Sequence, residues 1–182
     1  MAVPKTQTYK IMKSIKLLIA AFIFLTPTTQ IKAQPITAGT AVNNVVAAYY
    51  GVKNALTTDN NNLAQTNARA LVAAISTVPM DKFTADQHKL WMAYSTKLQF
   101  DSRHISENNA LDHQREHFAS LSKNLYELVK GLKLNTAVIY EQYCPMKKAT
   151  WLSEVSDIKN PYYGKQMLTC GKVTETLSPA TK

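Results

Sequence analysis

Between residues 37 and 130 apolar side chains recur at helical spacing in four separate blocks, and that recurrence limits the chain to a mainly α fold. In the first block Val42, Val45, Val46, Tyr49, Val52 and Leu56 share a face, and Asp59-Asn60-Asn61-Asn62 supplies the stop. The spacing predicts a second helix over about 62–76 with Leu63, Ala70, Leu71 and Ala74 inward. Asn67 interrupts that face, and Pro79 ends the pattern. Thr84 with Gln87 three residues later matches a capping box, so a third helix starts there. It buries Trp91, Tyr94 and Leu98 and fades near residues 102–104. A fourth helix, about 109–130, turns Leu111, Phe118, Leu121, Leu125, Leu128 and Val129 inward. Gly131 lies where a left-handed stop is expected. Four amphipathic helices with short connections argue for an up-down four-helix bundle.

The last third of the chain changes character. Residues 137–143 and Lys172–Leu177 are short and β-branched, and the stretch between them is rich in turns, so a small irregular or two-stranded cap is expected. Both cysteines lie here. Cys144 and Met146 are two apart, which puts their sulfurs on one side of an extended strand. Met167 and Cys170 are three apart, which brings them together on one helical turn. Two readings stay open. The four sulfurs can converge on a soft ion such as Cu(I). Alternatively, Cys144 and Cys170 form a disulfide around 25 intervening residues, worth about 3 kcal/mol, with Met146 and Met167 filling gaps in the core. Neither pair is C-x-x-C, so the spacing is not a zinc signature.

Histidines are the other ligand type. His113 and His117 are four apart on the fourth helix, a spacing that can clamp a metal on one face. Against this, His117 falls at the edge of the apolar stripe and His113 points further toward water. That favours a solvated His113 and a His117 bonded to backbone or water. His104, where the third helix gives way to the fourth, is placed to approach either His117 or the sulfurs; His88 is an ordinary helix residue. Ser122 and Ser153 have no nucleophile-elbow context, and the carboxylates are scattered, so no catalytic constellation is expected.

The N-terminus carries an address. Lys5, Lys10, Lys13 and Lys16 precede an apolar run over residues 17–25, and Ile31-Lys32-Ala33 follows. This is the pattern of a secretory signal peptide cleaved after Ala33, and the run is shorter than the roughly 20 residues of a membrane span. Residues 34–182 then form a single helical domain, periplasmic or secreted, in a compartment that permits disulfides. The formal charge of +9 overstates its basicity. Five of the 21 basic residues and none of the 12 acidic ones precede Gln34, which leaves a net +4. With no arginine cluster or aromatic-basic interleaving, a nucleic-acid partner is not indicated.

Four short motifs extend this reading: Tyr143-Cys144-Pro145-Met146, Trp151-Leu152-Ser153, Asn160-Pro161-Tyr162-Tyr163-Gly164 and Met167-Leu168-Thr169-Cys170-Gly171. Together they resemble the signature of an exported bacterial domain family of unknown function. That family is also found appended to periplasmic adaptors of CusB-type heavy-metal efflux systems. Gln114-Arg115-Glu116-His117-Phe118 with Leu121-Ser122 resembles its helical motif, and the resemblance covers about 40–173. It implies a helical domain that binds a heavy metal, copper foremost, as Cu(I) or another soft ion. Cys144, Met146, Met167 and Cys170 would be the ligands, with His117 and His104 as additional ones and efflux-system components as partners. The competing expectation is a disulfide-stapled interaction module that docks a protein.

Overall fold

The computed structural model describes residues 36–180. The expected leader, residues 1–33, lies outside the described residues. Four helices are followed by a small antiparallel sheet. Helix α1 (Ala38–Thr57) starts at Thr37, whose hydroxyl accepts from the Thr40 N–H at 3.1 Å. Its expected face, from Val42 to Leu56, is buried. The chain then turns at Asp59, which takes the left-handed conformation at φ 57°. Asn60 caps α2 (Asn61–Ser76) by accepting from the Leu63 N–H.

The buried face of α2 is Ala64, Ala68, Leu71 and Ile75, not the face through Leu63, Ala70 and Ala74. Leu63 is exposed. Asn67, the apparent interruption, explains the rotation: its amide donates to the Gly51 carbonyl at 2.7 Å and ties α2 to α1. A Cβ on Gly51 would come within 3.2 Å of that side chain, so the glycine keeps the approach open.

Helix α3 (Ala85–Glu107) opens with the expected capping box between Thr84 and Gln87. It runs a turn beyond the expected fade, because its buried face continues through Asp101, Ser102, Ile105 and Ser106. Ser102 is hidden by turning its hydroxyl onto the Leu98 carbonyl at 2.6 Å. Helix α4 (Leu111–Leu132) likewise passes through Gly131 and stops at Lys133, φ 51°. Gly131 serves packing instead: a Cβ there would lie 2.5 Å from Leu90 Cδ2 of α3.

The C-terminal region is a three-stranded sheet, where an irregular or two-stranded cap was expected. Strands β1 (Ile139–Cys144), β2 (Ala149–Ser153) and β3 (Lys172–Leu177) lie in the order β2-β1-β3, all antiparallel. Cys144 faces Ala149, and Ile139 faces Leu177. The strand missed in the sequence is β2, whose five residues sit inside a turn-rich stretch but bury Trp151, Leu152 and Ser153. The sheet meets the helices through Tyr49. Its hydroxyl accepts from the Leu152 N–H at 3.0 Å and bonds Ser122 Oγ at 2.7 Å, and its ring stacks on Phe118 at 5.2 Å. Among the described residues no helix is long and apolar enough to cross a membrane.

Candidate metal centre

Helices α3 and α4 form a hairpin around residues 108–110, and a buried glutamine fixes its turn. Gln114 Nε2 donates to the carbonyls of Asn108 at 2.8 Å, Asn61 at 3.1 Å and Ile105 at 3.4 Å. Asn61 adds a bond to the Asn109 carbonyl at 2.9 Å, so the start of α2 braces the same turn. In such a hairpin, residues equally distant from the turn sit level with each other. His104 and His113 lie five before and four after Asn109, while Asp101 and His117 lie eight on either side.

The result is a cluster of three imidazoles. The ring centres of His104 and His117 are 4.3 Å apart and nearly parallel, those of His113 and His117 are 4.7 Å apart, and those of His104 and His113 are 5.9 Å apart. One ring nitrogen from each lies within 4.8 Å of the other two, and all three residues are half-buried. Phe100, 55% exposed, stands 4.4 Å from the His104 ring and 5.8 Å from that of His117. Below the cluster, Asp101 Oδ1 is 3.0 Å from His117 Nδ1, and Asp101 itself is buried.

Metal–imidazole bonds of 2.0–2.1 Å place tetrahedral ligand nitrogens about 3.4 Å apart. The three ring nitrogens lie within 4.8 Å of one another, so small ring rotations bring them to that spacing. Imidazole suits copper, zinc, nickel and iron. Three protein ligands leave a further position open to water or another donor.

The sulfurs are placed differently. Cys144 is buried at the end of β1, where its Sγ accepts from the Lys147 N–H at 3.4 Å. Met146, in the β1–β2 turn, is 61% exposed. Met167 and Cys170 are half-buried, in the segment that leads into β3. Both thiols are free, so the Cys144–Cys170 disulfide, one of the two readings of these sulfurs, is not formed. Asn160 ties this segment instead. It is fully buried, its amide donates to the Cys170 carbonyl at 2.8 Å, its Oδ1 accepts from the Tyr162 N–H at 2.8 Å, and its own N–H reaches the Leu168 carbonyl at 2.7 Å.

Other residues of the C-terminal motifs are equally absorbed by architecture. Trp151 is fully buried, and Gly164 sits at φ 51° with Asp59 and Arg115 against it. Arg115 bridges from α4 to Asp59 Oδ1 and to the Pro161 carbonyl at 2.9 Å. Burial pushes the Asp59 carboxyl up, but its bonds to Arg115 and the Lys165 N–H outweigh this and hold its pKa below the ordinary value.

Of the histidine expectations, the approach of His104 to His117 is realised, while the water-facing His113 is not: it turns into the cluster. His117 bonds a carboxylate rather than backbone or water. His88 is exposed and stands apart from the cluster. Asp101 and Phe100 went unnoticed in the sequence. Their signal was spacing, since they precede His104 by three and four residues and so share its helix face.

Residues 45–137 match the model of the family described as "Protein of unknown function (DUF3347)". The match spans the three histidines, Asp101 and the hairpin that carries them, and ends before β1 and the four sulfurs. No curated protein and no solved structure matches the chain. With just over half of its length matched, the chain belongs to this family of proteins of unknown function.

Proposed function

We propose that the chain is a non-catalytic metal-binding module that carries a first-row transition ion, copper foremost, on His104, His113 and His117. The observation that supports this most is the convergence of three ring nitrogens within 4.8 Å on the α3–α4 hairpin. Among histidine-rich sites, affinity rises along the first-row series to Cu(II) and falls again at Zn(II), so copper is the expected cargo where both are present. The basic, apolar leader pattern of residues 1–33 supports action outside the cytoplasm, in the periplasm or beyond it. Efflux-system components are the partners that the resemblance of the C-terminal motifs implies.

Cargo on half-buried imidazoles suits buffering or delivery, because an accessible ion can pass to another set of ligands. A competition titration tests the reading. Purified protein is mixed with Cu(II), or with Cu(I) under reducing conditions, against a chromophoric chelator. One ion per chain, with proton release as the imidazoles are taken up, is expected. Absence of any competition with the chelator at equimolar protein would overturn it.

A further inference from the structure

We propose that Asp101 is the positioning residue of the three-histidine site: it holds His117 ready to ligate through Nε2, making His117 the fixed member on which the other two rings close. This rests on the reading that the cluster binds an ion. Asp101 is 4% exposed, a degree of burial that acidic residues reach only with a partner. Its ion-pair partner among the described residues is no lysine or arginine but the imidazole of His117, at 3.0 Å. A carboxylate can only accept at that distance, so the bond places a proton on Nδ1, and in the neutral ring this leaves the Nε2 lone pair free. An imidazole bonded in this way is oriented before an ion arrives and is a stronger donor once it binds.

The three rings are therefore unequal. Among the described residues His104 and His113 make no side-chain hydrogen bond; each lies beside the other and beside His117, and His104 also beside Phe100. Both are free to rotate toward an ion that His117 has already engaged. The arrangement is set by the hairpin register, which brings Asp101 of α3 level with His117 of α4.

The test uses Zn(II), which is diamagnetic, and three proteins: the unaltered chain, Asp101→Ala and Asp101→Asn. Long-range 15N–1H correlation spectra of the metal-free proteins are expected to show His117 as the Nδ1–H tautomer in the unaltered chain. In Asp101→Ala the ring should return to a mixture. Zn(II) affinity should fall about 10- to 100-fold in Asp101→Ala. Asp101→Asn, which keeps an acceptor but not the charge, should lie between. Equal Zn(II) affinity in all three proteins, or an unchanged His117 tautomer in Asp101→Ala, would overturn the inference while leaving the site intact. If the unaltered chain takes up no Zn(II), the reading of the cluster fails and this inference fails with it. A thermal melt of each metal-free protein separates positioning from general damage. An affinity loss in Asp101→Ala with an unchanged melt supports the inference, and one accounted for by partial unfolding contradicts it.

Discussion

The α3–α4 hairpin and the sheet that follows it each hold residues a metal could choose, and they treat those residues in opposite ways. In the sheet region several of the distinctive side chains are consumed by construction, while Met146 stays exposed and Met167 and Cys170 half-buried. Asn160 spends its amide and its backbone N–H on neighbouring backbone, Tyr162 donates to the Thr150 carbonyl, and Cys144 lies in the core. In the hairpin, Gln114 and Arg115 do the holding, from positions beside the histidines. The three imidazoles keep a ring nitrogen each for something else. A residue type capable of ligation is thus a weaker sign of a site than a ligand atom the fold has left unemployed.

The two regions should therefore break separately. The largest effect is expected from Gly164→Ala, since a Cβ there would lie 1.9 Å from Asp59 Oδ1 at a backbone φ of 51°. The left-handed backbone costs about 1–2 kcal/mol and the overpacking about as much again, so a loss of about 3 kcal/mol should appear in chemical denaturation. The folded fraction should still bind metal with unchanged affinity.

His104→Ala is the reciprocal experiment. Removing one of three imidazoles should weaken Cu(II) or Zn(II) binding about 100-fold, equivalent to about 2.7 kcal/mol. Stability without metal should move by less than about 0.5 kcal/mol, because the ring is half-buried and makes no hydrogen bond. In a thermal melt, Zn(II) at a hundred times its dissociation constant should stabilise the unaltered chain by about 2.7 kcal/mol. His104→Ala should lose most of that gain.

A smaller and pH-dependent effect belongs to the Asp59–Arg115 pair. The Asp59 carboxyl titrates below its ordinary value in the folded chain. Its contribution is therefore present above the unfolded value, about 3.9, and is lost as the pH falls through the folded one. Asp59→Asn keeps a residue that tolerates the left-handed turn and removes the charge. It should cost about 1 kcal/mol at pH 7, and the gap to the unaltered chain should narrow below about pH 4 in urea titrations at stepped pH.

The smallest effect is expected from Met146→Leu. With 61% of the residue exposed in a turn, the change should alter stability by less than about 0.5 kcal/mol. Metal affinity should stay within about threefold.

Much of this division could be read from the residues before the fold was known, and some could not. The helices announced themselves through apolar spacing and through Thr84 with Gln87, because capping and periodicity are local. The rotation of α2 was hidden, because it depends on Asn67 finding Gly51 in another helix. The last turn of α3 was hidden too, since its buried face is built from Asp101, Ser102 and Ser106, which look like surface residues. Gly131 resembled a stop, but it answers to Leu90 across the hairpin. His104, His113 and His117 were each visible as ligand types; only the hairpin register unites them. The sulfurs drew attention through the spacing of Cys144 with Met146 and of Met167 with Cys170, and local spacing does not say whether two separate segments converge.

X-ray absorption at the metal edge of the loaded protein tests the central claim most directly. For the Zn(II) form the account predicts a first shell of nitrogen and oxygen at about 2.0–2.1 Å, with the outer-shell scattering of about three imidazoles. A sulfur shell at about 2.3 Å would contradict it and move the site to the cysteines of the C-terminal region.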